Sequence, residues 1–359
     1  MEAADRRAAV PAGGDVAGMV LCAGLGTRLR PLTEWLPKPA VPVCGLPLVR
    51  FALARLAAAG VRRAVVNTHH LAGPMADAAR ASARALGLDL AVSHEPVIAG
   101  TGGALREARR HLAGAEAIVL WNGDVLFDLD LAPVLAAHRA SGALATLVLA
   151  PMPEGERYAA VEVDPGGAVR RIAGRGPGGD GLSPLHFTGV HVLAPALLDA
   201  VPDEPFACDV NRHVYPPLLG TGGVRGHLGP GYWNDLGTPG RYLQVNLDIL
   251  GGRVPPSRLH GANPFEGLDP FGKAGVWIAP DAHVDPGAAL EAPAILGPRS
   301  RVEAGATVGP GAVVGSGCRV AAGASVREAV LWDATALAPG ETVSGAIAAG
   351  PARVSARGT

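Results

Sequence analysis

The feature that most restricts the fold lies late in the chain. Ile278, Val284, Leu290, Leu296, Val302, Val308, Val314, Val320 and Val326 recur at a strict interval of six residues. Four positions after each comes a small residue in eight of nine cases: Ala282, Ala288, Ala294, Ser300, Ala306, Ala312, Cys318 and Ala324, with Val330 the exception. Trp332 and Ala338 continue the phase more loosely. This period fits neither a helix nor an ordinary strand. It fits a parallel β-helix of just over three coils, in which each side of a coil turns one aliphatic residue inward and a small residue lets the wall bend. The abundant Gly and Pro would also suit a disordered tail, but a tail has no reason to hold nine aliphatics in phase. The pattern predicts a β-helix over 275–350 and a tail over 351–359.

The first two-thirds of the chain reads differently. Short apolar runs (18–22, 64–67, 88–93 and 117–121) alternate with helical stretches (47–59, 75–86 and 103–112), and strands dominate from about 143 to 193. Continuous apolar strands between helices indicate an α/β domain: a Rossmann-like mixed, mainly parallel sheet with helices on both faces. A chain of 359 residues suits two domains. We place the α/β domain at 17–252, a Pro/Gly-rich linker at 253–274 and a disordered lead at 1–16. The net charge of −1 offers no footprint for nucleic acid or anionic membrane. No apolar run is long enough to span a bilayer, and no apolar core follows Arg6-Arg7 to make a signal peptide. Four scattered cysteines (Cys22, Cys44, Cys208, Cys318) suit a reduced, cytoplasmic protein.

The chemistry starts where the first strand stops, at Gly24-Leu25-Gly26-Thr27-Arg28. A glycine-rich turn between strand and helix bares backbone N–H groups to phosphate oxygens. A dinucleotide fingerprint would need glycine where Leu29 stands, and a P-loop would need Gly-Lys-Ser/Thr, which is missing. The run continues Arg28-Leu29-Arg30-Pro31-Leu32-Thr33, then Pro37-Lys38-Pro39. Here the sequence resembles the nucleotidyltransferases that make NDP-sugars, with their GxGTRLxPLT…PKP segment. The resemblance implies that Gly24, Leu25, Gly26, Thr27 and Arg28 bind the nucleotide, and that Arg28 and Lys38 neutralise charge at the reacting phosphate. Of 31 basic residues only Lys38 and Lys273 are lysine, which sets Lys38 apart from a chance surface lysine in a rigid turn.

Three more segments are similar to the same family. His94-Glu95-Pro96-Val97-Ile98-Ala99 followed by Gly100-Thr101-Gly102-Gly103-Ala104 looks like its base-reading loop, which adds Glu95, Gly100, Thr101 and Gly102 to the nucleotide site. A carboxylate only accepts hydrogen bonds, so Glu95 complements the donor edge of guanine and favours GTP over UTP or dTTP. Trp121-Asn122-Gly123-Asp124 ends the most apolar strand, where parallel sheets bind ligands. Trp233-Asn234-Asp235-Leu236-Gly237-Thr238-Pro239 resembles the family's W-x-D-x-GTP. By that likeness Asp124 and Asp235 hold Mg²⁺, and Asp124 joins Arg28 and Lys38 as catalytic.

The sugar half departs from the pattern. The family's Glu-Lys-Pro is replaced by a stretch containing Arg175, which stands in for the lysine or is a solvated loop residue. Ala159 follows Tyr158 in place of glycine, and Phe187-Thr188-Gly189 replaces Asn-Ala-Gly. Sugar-phosphate contacts are expected from Asn122, Gly123, Arg175, Thr188 and Gly189. These departures also resemble the branch with heptose-1-phosphate guanylyltransferases and N-acetylmuramate-1-phosphate uridylyltransferases.

The implied reaction joins a nucleoside triphosphate, GTP by the Glu95 argument, to a sugar 1-phosphate such as mannose 1-phosphate, with release of pyrophosphate. The alternatives are UTP or dTTP with a glucose, heptose or amino-sugar phosphate, or a non-catalytic subunit that binds NDP-sugar. The C-terminal repeat resembles the left-handed parallel β-helix of hexapeptide-repeat proteins; a structural or oligomerising role is expected for it, with the protein a homo-oligomer, and no acyl transfer from acetyl-CoA is expected, because the repeat offers a single histidine, His283.

Overall fold

The apolar run Val16–Leu21 becomes β1, at the heart of the main sheet. Its even residues, Val16 and Val20, pack into one apolar layer, and its odd ones, Ala17 and Met19, into a second. Both faces are therefore covered, as a parallel strand between helices requires. The structure is a computed structural model that describes residues 15–272 and 275–357. Most of the expected lead, residues 1–14, lies outside the described residues, as does Lys273.

Eight further strands complete this sheet: β2 (Arg63–Thr68), β3 (Asp89–His94), β4 (Ala117–Asn122), β5 (Ala145–Ala150), β6 (Ala160–Val163), β7 (Val169–Ile172), β8 (Ser183–Leu193) and β9 (Val224–Leu228). The order is β7-β6-β8-β4-β1-β2-β3, with β5 beside β8 and β9 beside β5. β1 pairs in parallel with β2 and β4, and β2 with β3, while β8 runs antiparallel to β4, β5 and β6. The parallel core directs the carboxyl ends of β1, β2, β3 and β4 to one edge, where the loops gather.

Helices α1 (Leu48–Ala58), α2 (Ala72–Leu86) and α4 (Leu131–Ser141) supply the first layer, and α3 (Gly100–Leu112) the second. In α2, Met75, Ala76, Ala79, Ser82 and Ala83 form the buried stripe, and Gly87 ends the helix in a left-handed conformation. α4 was not anticipated from the sequence; the Asp130 side chain caps it by accepting from the Ala132 N–H at 3.0 Å. The last helix, α5 (Pro239–Leu250), starts at the Thr238 cap.

Residues 253–272 are not a bare linker. Val254, Leu259 and Ala262 are buried in the cluster that also holds α5.

The repeat forms a β-helix. Val276 pairs with Ala294 and Ala294 with Ala312, a step of 18 residues, so each coil has three sides of six. Leu296, Val302, Val308, Val314, Val320 and Val326 line the interior together with Ala306, Ala312, Cys318 and Ala324. Two expectations are corrected here. The next step is 17 residues, because Ala312 pairs with Ala329 and Ala329 with Ala346, which carries the helix past four coils. One residue is lost near Arg327 and Glu328, the latter in a left-handed conformation with φ 43°. Leu331, Leu337 and Val343 therefore take the interior positions, and Trp332 and Ala338 do not. The expected tail likewise contains a strand, Ala352–Ser355, antiparallel to Thr342–Ala349.

One face of the β-helix is apolar on its outside. Ile295, Val313, Val330, Trp332 and Ile347 share a buried cluster with Tyr242, Val245 and Ile249 of α5 and with Leu29, Leu32 and Val41 beneath the glycine-rich loop. The Trp332 indole N–H donates to the Tyr242 hydroxyl at 2.9 Å. No helix among the described residues is long and apolar enough to cross a membrane.

Candidate active site

At the carboxyl ends of β1, β2 and β4 the chain leaves a cavity of about 350 Å³. The loop after β1 forms one wall. The backbone N–H groups of Gly24, Leu25 and Gly26 have no acceptor among the described residues, and Arg28 is exposed without an ion-pair or hydrogen-bond partner among them. The loop is anchored from below by the fully buried Leu29 and Leu32. Gly26 has φ 61°, and a Cβ there would come 2.9 Å from the Thr33 methyl and 3.2 Å from the Lys38 Cβ, so the sharp turn admits only glycine.

Lys38 sits in a one-turn helix after Pro37 and is buried, 6% exposed. Its ammonium donates to Asp124 Oδ2 at 2.9 Å and to the Asp235 carbonyl oxygen at 2.8 Å. It thereby joins the two segments that carry the acidic residues. Asp124 lines the cavity, and its Oδ1 accepts no hydrogen bond among the described residues. Asp235 turns its carboxylate the other way: Oδ1 accepts from Arg241 at 2.6 Å and from the Gly237 N–H at 3.1 Å, and Oδ2 accepts from the Tyr158 hydroxyl at 3.2 Å. Burial pushes the Asp235 carboxyl up, but the Arg241 guanidinium and the Lys38 charge outweigh it and hold the group below the usual carboxylate range. No group of three His, Cys, Asp or Glu converges for a metal among the described residues. Two carboxylates nonetheless suit Mg²⁺, which takes one or two from protein and fills the rest with phosphate oxygens and water.

Glu95 lies on the opposite wall and is 2% exposed. It makes no ion pair among the described residues. Instead Oε1 accepts from the Asn67 amide at 2.7 Å and Oε2 from the Ala99 N–H at 2.9 Å. Asn67 in turn accepts from the Cys22 N–H at 2.6 Å, which ties the ends of β1 and β2 to the loop before α3. Gly100 and Thr101 line the cavity. Gly102 stands behind it: its N–H donates to the Cys208 carbonyl at 2.8 Å, so that donor is spent on the protein.

The expected sugar side divides. Asn122 lines the cavity, and its side chain makes no hydrogen bond among the described residues. Gly123 is buried beside it, bonded to the Leu21 carbonyl. Gly189, at φ 85°, lies against Asn122, where a Cβ would meet the amide at 2.9 Å. Thr188 is fully buried and spends its hydroxyl on the Val148 carbonyl, so it offers no side-chain contact to a ligand. Arg175 is corrected outright. It closes a tight turn with Ile172 after β7, at the outer end of the sheet, and its exposed side chain does not reach the cavity. Leu25 is exposed beside the cavity without lining it.

Several residues at the site escaped the sequence reading. Asn67 is one, although a polar residue ending an apolar strand is a usable signal. His186 and Arg241 are the others, in a cluster around Asp235 that also holds Tyr158 and Trp233, two residues of the segments described above. Tyr158, His186 and Trp233 pack together with ring centroids 4.3 to 5.7 Å apart. His186 is buried with neither ring nitrogen partnered, and burial lowers its affinity for a proton. Arg241 contacts the carboxylates of Asp235 and Glu156 and the Tyr158 hydroxyl. The Trp233 indole N–H donates to the Thr188 carbonyl at 2.8 Å, which continues this cluster round to Gly189 and Asn122.

The chain is similar to known proteins over most of its length. The family described as "Nucleotidyl transferase" matches residues 17–251. A mannose-1-phosphate guanylyltransferase of Mycobacterium tuberculosis is 33% identical over 250 residues, covering 68% of each chain. A UTP–glucose-1-phosphate uridylyltransferase of Synechocystis is 27% identical over 303 residues, covering 78% of each. Among solved structures, HddC from Yersinia pseudotuberculosis superposes with a TM-score of 0.55 at 21% identity, over 65% of this chain and 99% of that one, a likeness of fold.

Proposed function

The chain belongs to the nucleotidyl transferase family as a sugar-1-phosphate nucleotidyltransferase, and from that premise we propose that it joins GTP to mannose 1-phosphate, releasing pyrophosphate. The observation that carries the reading is the convergence, in one cavity, of Gly24 and Gly26, whose N–H groups have no acceptor among the described residues, Arg28, which has no partner among them, and the buried Lys38 paired with Asp124. Unsatisfied donors beside two cations are what a triphosphate needs and what an apolar ligand would not tolerate.

In this reading the loop N–H groups of Gly24 to Gly26 hold the triphosphate. Arg28 and Lys38 face the α-phosphate, where negative charge grows as the sugar phosphate oxygen attacks in line and pyrophosphate departs. The attacking phosphate oxygen is already anionic, so no side chain need remove a proton. Asp124 and Asp235 would hold Mg²⁺, which when bound offsets charge on the phosphate oxygens. Asp124 presents Oδ1 for this, and Asp235 would use Oδ2, which carries only the contact from the Tyr158 hydroxyl, while Oδ1 keeps Arg241. The choice of GTP is supported by the acceptor-only carboxylate of Glu95, and the choice of mannose by the mycobacterial relative's name.

A pyrophosphate-release assay tests this, with GTP, UTP, dTTP, ATP and CTP crossed against mannose, glucose, N-acetylglucosamine and heptose 1-phosphates. Turnover is expected to be greatest with GTP and mannose 1-phosphate, and a preference for another pair would correct the substrates while keeping the reaction. Lys38→Ala and Asp124→Ala should each lower kcat by roughly 10²- to 10³-fold while the protein stays folded. A wild-type rate in either variant would remove that residue from the mechanism.

A further inference from the structure

The reaction brings two phosphate groups together, and the cations described so far face only one of them. Arg28 and Lys38 sit on the glycine-rich loop side, and the sequence-based candidate for the sugar phosphate, Arg175, lies at the far end of the sheet.

A different arginine is in place. A Cβ on Gly237 would lie 3.1 Å from an Arg28 guanidinium nitrogen and 3.1 Å from Asp235 Oδ1, and that oxygen is 2.6 Å from Arg241. Arg28, Asp235 and Arg241 are therefore close neighbours around Gly237, and of these only Arg28 and Gly237 line the cavity itself. From Arg241 a chain of contacts runs through Tyr158 and Trp233, both half-buried, to Thr188, Gly189 and Asn122, the last of which lines the cavity.

The donors of Arg241 are only partly used. One terminal nitrogen serves both Asp235 and the Tyr158 hydroxyl, and the other serves Glu156. Of the five N–H groups of a guanidinium, the Nε–H and one on the second terminal nitrogen have no partner among the described residues. A side chain kept only to neutralise Asp235 would spend its paired donors on that carboxylate. Here two charged donors are left over, and the N–H groups of a guanidinium are what bind the oxygens of a phosphate.

We propose that Arg241 receives the phosphate of the sugar 1-phosphate, held in position by Tyr158 and Asp235 and neutralised by Glu156 until substrate binds. The proposal rests on the function given above and names the residue that the departed Glu-Lys-Pro stretch does not supply.

The test is initial-rate kinetics in both directions with the full chain and Mg²⁺, comparing wild type with Arg241→Gln, Arg241→Lys and Glu156→Gln. Arg241→Gln should raise KM for the sugar 1-phosphate by about 10- to 100-fold, the loss of one charged contact. KM for the nucleoside triphosphate, and for pyrophosphate in reverse, should stay within about twofold. Arg241→Lys, which keeps charge without the guanidinium, should fall between. Glu156→Gln frees the guanidinium from one carboxylate and should lower the same KM, so it serves as the test if the Arg241 variants do not fold. An unchanged sugar-phosphate KM in folded Arg241→Gln, a parallel rise in both substrates' KM, or an unchanged or raised KM in Glu156→Gln would overturn the assignment. Wild-type protein that releases no pyrophosphate with any substrate pair would instead overturn the underlying function, an outcome the variants cannot mimic.

Discussion

A buried carboxylate with no ion pair among the described residues depends on donated hydrogen bonds, and Glu95 receives its two from Asn67 and the Ala99 N–H. Replacing it with glutamine therefore has two effects. The new amide NH₂ must face one of those donors, which should destabilise the protein by about 1–3 kcal/mol. The acceptor-only edge is also lost, so preference for GTP over UTP should fall in a direct competition assay. Adding Asn67→Asp to Glu95→Gln reverses the polarity of the pair and should recover much of the melting temperature without restoring the GTP preference. Unchanged selectivity in both variants would remove Glu95 from base reading. At this scale the sequence was legible where chemistry is written in one continuous stretch. Gly24 to Arg28 and Lys38 stand at a fixed local spacing, and Asp124 closes its own run Trp121-Asn122-Gly123-Asp124 at the end of an apolar strand. Asn67 meets a partner 45 positions away, and Arg241 meets Tyr158 across 83, so nothing in their neighbours' identities announces them.

The β-helix shows the same division between elements. Its six-residue period was readable because the interior of each coil excludes everything but small and aliphatic side chains. The shortened coil was not, because Val330 and Trp332 are apolar for another reason: they face outward onto α5. An apolar residue in the old phase and one in the new phase look alike in a sequence. Stability tells them apart. Leu337→Ala should cost about 2–5 kcal/mol by denaturant melting, since it opens a cavity inside a coil, whereas Ala338→Ser on the exposed face should stay within about 0.5 kcal/mol. The reverse ranking would restore the unbroken period. The stretch 253–272 was misread for a related reason. Pro and Gly suggested a free connection, yet Val254, Leu259 and Ala262 are anchored by the packing of distant parts of the chain.

For the molecule as a whole, buried histidines couple stability to pH. His191 lies in the main sheet with Nδ1 2.7 Å from the Tyr215 hydroxyl, and burial lowers its pKa from 6.5 to about 3. Between those values the unfolded chain binds a proton that the folded chain refuses. The stabilisation is complete above pH 6.5 and drains away as pH falls toward 3, at up to about 1.4 kcal/mol per pH unit. Thermal melts from pH 7 to 5 should show the decline, and the double variant His191→Phe, Tyr215→Phe should show a shallower one. An equal slope in both would rule out His191 as a source. The four cysteines are buried, and burial pushes the Cys318 thiol up to about 11, in keeping with their use as small apolar side chains. The apolar cluster shared by the glycine-rich loop, α5 and the outer face of the β-helix has a consequence for how the protein is made. Leu29 and Leu32 leave the ribosome early, but Val330, Trp332 and Ile347, which cover the same cluster, emerge some three hundred residues later. Until then that face of the nascent α/β half lacks the part of its cover that the β-helix supplies, and a ribosome stalled before the last coil would display a glycine-rich loop whose foundation is not yet complete.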